Sequence, residues 1–154
     1  MIAGIGVDVC EVDRMRRALE APHGGRFRTR VFTAAEQAYC EGRRRGRFES
    51  YAARFAAKES VMKVLGTGWG GGVAWRDIEV TRAPGGLPGL RLHGQAAAIA
   101  RRLGMTRWLV SVTHTRTSAI AWVVAERGRV SRRQAVRRSA AAAGGAPPRP
   151  RSRR

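Results

Sequence analysis

From Ser50 to Leu65 the chain is rich in alanine, lysine, methionine and leucine, contains no glycine or proline, and is followed by Gly66, a natural C-terminal cap. This stretch predicts the principal helix, and the rest of the chain has to be arranged around it. Most of that rest reads as sheet. Ile2 to Cys10 alternates small and β-branched residues as a strand. Trp75 to Arg82 and Leu87 to His93 flank the Pro84-Gly85-Gly86 turn, and Arg107 to His114 and Ser118 to Ala125 form a second hairpin around Thr115-Arg116-Thr117. Shorter helices are expected over Glu11 to Glu20, which Pro22-His23-Gly24-Gly25 ends, and over Gln95 to Leu103. Another opens at the capping-box pair Thr33 and Glu36 and runs to about Gly42. Arg43 to Arg47 reads as a basic loop. Strands and helices do not alternate in a βαβ rhythm, so the expected class is α+β, an antiparallel sheet packed against one long helix.

The 154 residues suit one domain with a tail. After Glu126 the composition collapses to arginine, alanine, glycine, proline and serine, which is too little apolar content to offset ordering entropy. The expected organisation is a folded domain over residues 1–126 and a basic, disordered tail over 127–154. The formal charge of +19 divides accordingly: the tail holds ten arginines and no acid, and Met1 to Glu126 keeps a net +9. A basic domain attracts polyanions, whether nucleic acid, phosphorylated cofactors or acidic proteins. No basic leader precedes the first strand, and no apolar run approaches the roughly 18 residues that span a bilayer. Cys10 and Cys40 form no ligand pair and read as ordinary thiols of a cytoplasmic protein.

Several residues could carry chemistry. Glu59 and Lys63 stand one turn apart on the principal helix. Spacing alone allows an exposed ion pair, whereas the flanking Phe55 and Met62 draw that face toward the core, where a carboxylate needs a cation. Asp8 interrupts the strand of Ile5, Val7 and Val9. Alternation puts it opposite them, either facing solvent or serving as one ligand of a hard cation. Gly66 to Gly72 matches neither the Walker nor the dinucleotide pattern and reads as a flexible turn. His114 closes a strand, and no nucleophile–histidine–acid set accompanies it.

Taken in order, these segments resemble the holo-(acyl-carrier-protein) synthase group of phosphopantetheinyl transferases. Gly4-Ile5-Gly6-Val7-Asp8-Val9-Cys10-Glu11-Val12-Asp13-Arg14 is similar to that family's first motif, and Arg54 to Gly68 (RFAAKESVMKVLGTG) to its most diagnostic one. Weaker similarity runs through Trp75 to Val80 and Gly85 to Pro88, and Ser111 to Thr115 resembles the last motif. Ser60 replaces a usual alanine, and the arginine-rich tail has no counterpart in compact members.

The resemblance implies transfer of 4′-phosphopantetheine from coenzyme A to a serine of an apo acyl carrier protein, on a phosphopantetheinyl-transferase-like fold. It implies Mg²⁺ held by Asp8 and Glu59. Glu59 takes the serine proton, directly or through a metal-bound water, and Lys63 neutralises the leaving phosphate. Arg54, Lys63, Gly66, His114 and Thr115 hold the coenzyme, which lies between subunits of a homotrimer. Arg14 and Arg17, three apart on the first helix, are expected to dock the acidic carrier protein. A basic nucleic-acid-binding protein is the alternative from another class. Without a stacking platform or a helix-turn-helix spacing, such binding is expected only non-specifically, through the tail.

Overall fold

The computed structural model describes residues 1–128; of the tail expected over 127–154, Arg127 is the last residue of the final strand, and from residue 129 onward it lies outside the described residues. The principal helix, α4, runs from Arg47 to Leu65, three residues earlier than its composition suggests. Before it come β1 (Ile2–Glu11), α1 (Val12–Glu20), α2 (Gly24–Val31) and α3 (Ala34–Glu41). After it come a 3₁₀ turn (Trp75–Asp77), β2 (Ile78–Arg82), β3 (Pro88–Leu92), α5 (Gly94–Arg102), β4 (Met105–His114) and β5 (Ser118–Arg127). Two features depart from expectation. α2 forms where the glycine pair suggested a break, and residues 75–77 coil into the turn before the strand starts.

The sheet is antiparallel, in the order β1-β5-β4, with β2 and β3 as a separate hairpin. Val7 lies opposite Trp122 and Asp8 opposite Ala121, which in turn faces Val112. α4 lies against β1 and β5 at close range. The sheet meets it with Gly4, Gly6, Ala119 and Ala121, and the helix answers with Ala56, Ala57 and Ser60. At Gly6 the approach leaves no room for a side chain, because a Cβ there would overlap the Ser60 carbonyl oxygen. The Ser60 hydroxyl shares its proton between the Ala56 carbonyl at 2.8 Å and the Ala121 carbonyl at 3.0 Å. It thereby ties helix to sheet without an unpaired polar atom.

Packing encloses α4 on all sides: from Ser50 to Leu65 every residue is buried except Glu59 and Lys63. Even Lys58 is inside. Its ammonium lies 2.9 Å from a Glu36 oxygen, both side chains being 0% exposed, and donates to the carbonyls of Trp75 and Ile78. Glu36 also accepts from the backbone of Val80 (2.9 Å) and of Thr33 (2.8 Å), completing the capping box with Thr33. Burial pushes the Lys58 ammonium down from its ordinary pKa, and the Glu36 carboxylate holds it up.

The other face of the sheet is bare. Ile5 (60% exposed), Val9 (57%), Trp122 (56%), Leu109 and Val7 all point away from α4. Among the described residues no helix is long and apolar enough to cross a membrane.

Candidate active site

Asp8 sits between Gly6 and Cys10 on the α4 side of β1, so the solvent-facing alternative is wrong for a specific reason. It is the apolar residues of this strand that face outward. Its carboxylate accepts from the Lys63 ammonium at 2.9 Å, and the same ammonium donates to the Val7 carbonyl at 2.8 Å. Lys63 therefore reaches across to the strand, and the exposed Glu59–Lys63 pair that spacing allowed does not form.

Glu59 opens through the same gap. Burial raises its carboxyl above the ordinary carboxylate range, hydrogen bonding from Trp69 opposes the rise, and the nearby Asp8 carboxylate adds to it; Lys63 and Arg14 pull it back. Two carboxylates, one ammonium and one guanidinium thus converge at the single opening on the central helix. Cys10 lies beside them, its thiol pushed up to about 11 by burial. Cys40 is pushed up to about 12 for the same reason. Neither supplies a thiolate at neutral pH.

No set of three or more His, Cys, Asp or Glu side chains gathers among the described residues. A pair of mutually repelling hard-oxygen ligands is what the site offers. That suits Mg²⁺, which commonly takes one or two carboxylates and fills its octahedron with water and substrate phosphate.

An apolar hollow of about 310 Å³ borders this opening, walled by Phe27, Phe55, Trp69 and Trp75 with Arg14 and Arg30 at its edge. Phe55 stacks on Trp75 at 4.8 Å, and Trp69 meets Trp75 edge-on at 5.4 Å. Arg14 reaches this hollow, whereas Arg17 pairs with Asp13 at 3.1 Å. Arg30 of α2 supplies the second basic group there. Sequence reading missed it because α2 itself was not anticipated.

The remaining expected residues lie elsewhere. Arg54 and His114 line a second pocket, of about 230 Å³, between α3, α4, β2 and β4. Arg54 and Lys63 are nine positions apart, which turns them about 180° from each other on the helix. Gly66, at φ 70°, caps α4 through its N–H to the Lys63 carbonyl at 3.1 Å, and nothing stands within 4 Å of where its side chain would be. Thr115 closes the β4–β5 turn, its hydroxyl oxygen accepting from the backbone of Thr117 (3.2 Å) and Ser118 (3.1 Å). One chain thus gathers Asp8, Glu59 and Lys63 in one place and Arg54 with His114 in another.

Comparison with known proteins gives the same direction. Residues 4–123 match the family model of the 4′-phosphopantetheinyl transferase superfamily. The chain is 49% identical to a holo-[acyl-carrier-protein] synthase of Solibacter usitatus (82% of this chain, 99% of that protein). It is 50% identical to one of Desulforudis audaxviator (81% and 93%). Among solved structures it is similar to the Bacillus anthracis holo-(acyl-carrier-protein) synthase in complex with CoA (3′,5′-ADP), at 33% identity and a TM-score of 0.67, covering 83% of this chain and 99% of that one. The Neisseria meningitidis synthase matches at 31% identity and a TM-score of 0.74, over 82% and 100%.

Proposed function

The chain belongs to the 4′-phosphopantetheinyl transferase superfamily, and from that premise we infer that it is a holo-[acyl-carrier-protein] synthase, which moves 4′-phosphopantetheine from coenzyme A to a serine of an apo acyl carrier protein. The observation that carries this reading is the single gap in the packing of α4, where Glu59 and Lys63 meet Asp8.

The serine oxygen forms a bond to the phosphorus on the pantetheine side of the pyrophosphate. The bond from that phosphorus to the bridging oxygen breaks, and adenosine 3′,5′-bisphosphate departs. Such a transfer asks the protein mainly for positioning and charge neutralisation. Mg²⁺, held by Asp8 and Glu59, would supply positive charge to the pyrophosphate oxygens. Glu59, which opens at this gap in α4, would take the serine proton. Lys63, fixed by Asp8 and the Val7 carbonyl, puts its charge where the leaving phosphate develops. The test is direct: apo carrier protein, coenzyme A and Mg²⁺ are incubated with the protein, and the carrier is weighed by mass spectrometry. The expected gain is one phosphopantetheine per carrier, and an unchanged mass rejects the assignment.

Carrier docking is proposed at Arg14, at the edge of the apolar hollow, together with Arg17 on the same helix, which is paired with Asp13. An acidic helix with an apolar side chain would meet both features there. Arg14→Glu together with Arg17→Glu is expected to raise the carrier KM about tenfold or more, and added salt to weaken the wild-type interaction, since exposed charge pairs are screened. Steady-state kinetics with each substrate varied in turn checks this. A carrier KM that does not move rejects the surface.

The assembly is proposed to be a homotrimer built on the bare sheet face of Ile5, Val7, Val9 and Trp122. Pairing between copies would bring the Arg54–His114 pocket of one chain to the Asp8–Glu59–Lys63 cluster of the next, so that one coenzyme spans both. Sedimentation at three chain masses is the expected result; a monomer at working concentration overturns it. The free thiols Cys10 and Cys40 suit a cytoplasmic setting.

A further inference from the structure

The glycine-rich segment after α4, residues 66–72, carries one large side chain, Trp69, and the path of the backbone aims it. Gly68 at φ 53° and Gly72 at φ 77° hold left-handed conformations that a side chain disfavours. Between them the chain doubles back so tightly that a Cβ on Gly71 would overlap Thr67. These glycines build a defined turn, and the turn sets the Trp69 indole against the aromatic wall of the hollow. The indole meets Trp75 edge-on at 5.4 Å and Phe55 at 6.5 Å and 83°. Phe55 and Glu59 are one turn apart on the same side of α4, so a ring seated on Phe55 stands beside the Glu59 carboxylate. Its N–H donates to that carboxylate.

Burial does not account for a tryptophan here, since the residue remains 64% exposed and most of its apolar surface stays in water. Glu59, in contrast, needs a partner. A glutamate side chain turns about several bonds, and the cation one turn along, Lys63, is held by Asp8 at 2.9 Å and by the Val7 carbonyl at 2.8 Å. A carboxylate has two oxygens, and an indole that holds one leaves the other for the acceptor hydroxyl. We infer that Trp69 is a positioning residue for the transfer, whose indole N–H keeps the Glu59 carboxylate turned into the gap at α4, toward the incoming serine. This rests on the reading of Glu59 as the proton acceptor. The serine proton passes to Glu59 as the serine oxygen bonds to phosphorus, and Trp69 exchanges no proton itself.

The experiment measures kcat and both KM values, with coenzyme A and apo carrier protein varied in turn. The enzymes are the wild type, Trp69→Phe, Trp69→Leu, Glu59→Ala and Glu59→Ala combined with Trp69→Phe. Trp69→Phe keeps a ring against Phe55 and Trp75 and removes the N–H. It is expected to lower kcat about tenfold, the scale of one hydrogen bond to a charged group, with both KM values within about twofold. Trp69→Leu, which also lacks the donor, should match it, and carries the same comparison if Trp69→Phe is unstable. In the Glu59→Ala background, Trp69→Phe should change kcat by less than about twofold, because the group it orients is gone. A kcat of Trp69→Phe equal to that of the wild type overturns the inference while Glu59 keeps its role. A loss in Trp69→Leu that Trp69→Phe restores also overturns it, because the ring and not the N–H then matters. So does a rise in the carrier KM alone, which makes Trp69 part of the docking face, or an equal loss in both backgrounds, which makes its effect independent of Glu59. Full turnover in Glu59→Ala rejects the proton-acceptor reading and the inference with it.

Discussion

Asp8→Ala and Glu59→Ala are each expected to lower turnover by about 10²–10⁴-fold, the range associated with losing a positioned proton acceptor or an electrostatic stabiliser. Their melting temperatures should hardly change. Asp8 and Glu59 sit at the one gap around α4, repel each other, and contribute no packing to the core. Removing either one relieves a like-charge contact, and without Asp8 the Lys63 ammonium keeps the Val7 carbonyl and can turn to solvent. Activity should also require a divalent hard cation, because two carboxylates facing a pyrophosphate repel it unless a cation intervenes. Carrier mass measured after reaction with and without excess chelator checks both statements. Full turnover in chelator would remove the metal from the account, and a collapse in melting temperature would recast the carboxylates as structural.

Lys58→Met should have the largest effect on stability, about 3–5 kcal/mol, the usual consequence of leaving one partner of a buried ion pair uncompensated. Here the loss reaches further than Glu36. The carbonyls of Trp75 and Ile78 lose their donor as well, and the link from α4 through Glu36 to the start of α3 and to β2 is cut. Chemical denaturation of Lys58→Met, Glu36→Gln and the double variant forms a thermodynamic cycle. The double variant should lose much less than the sum of the singles, because no isolated charge remains. A loss under about 1 kcal/mol for Lys58→Met would show that water reaches the site and that the pair is not the dry contact described.

Local chemistry made much of this legible. Gly66 ends α4 as its position after Leu65 suggested, and Thr33 with Glu36 forms the reciprocal cap. Both signals act within a few residues, where sequence and structure are the same information. Asp8 and Glu59 also stood out as candidates, although the neighbourhood of each did not. Alternation along β1 shows which residues share a side; it does not say which side meets the helix. Apolar residues inward is the ordinary rule for an isolated chain, and here small residues and Asp8 occupy the inward side because α4 comes too close for larger ones. The partner of Lys63 was misjudged for a related reason: the i,i+4 rule describes a lone helix, and a strand carbonyl and carboxylate lay within reach instead. The Lys58–Glu36 pair joins residues far apart in the chain, and no local rule announces it. α2 forms against its glycine-rich start because Val31 and the rim of Phe27 pack into the core, and tertiary burial outweighs propensity there.

The two sides of β1 have consequences for how this strand tolerates change. Positions 5, 7 and 9 carry the bare apolar surface, and positions 6, 8 and 10 carry the helix contact and the carboxylate. Parity separates the two sets of duties: Val7→Lys with Val9→Lys would disturb the assembly proposed on the outer surface while Gly6 and Asp8 keep their places. Insertions and deletions do not keep that separation. One residue gained or lost between Gly6 and Asp8 turns the remainder of the strand over, sending Asp8 outward and Val7 or Val9 against Ser60 and Lys63. Replacement on the outer side leaves the helix contact intact, whereas the length between these two residues is fixed by a count that point mutation never tests.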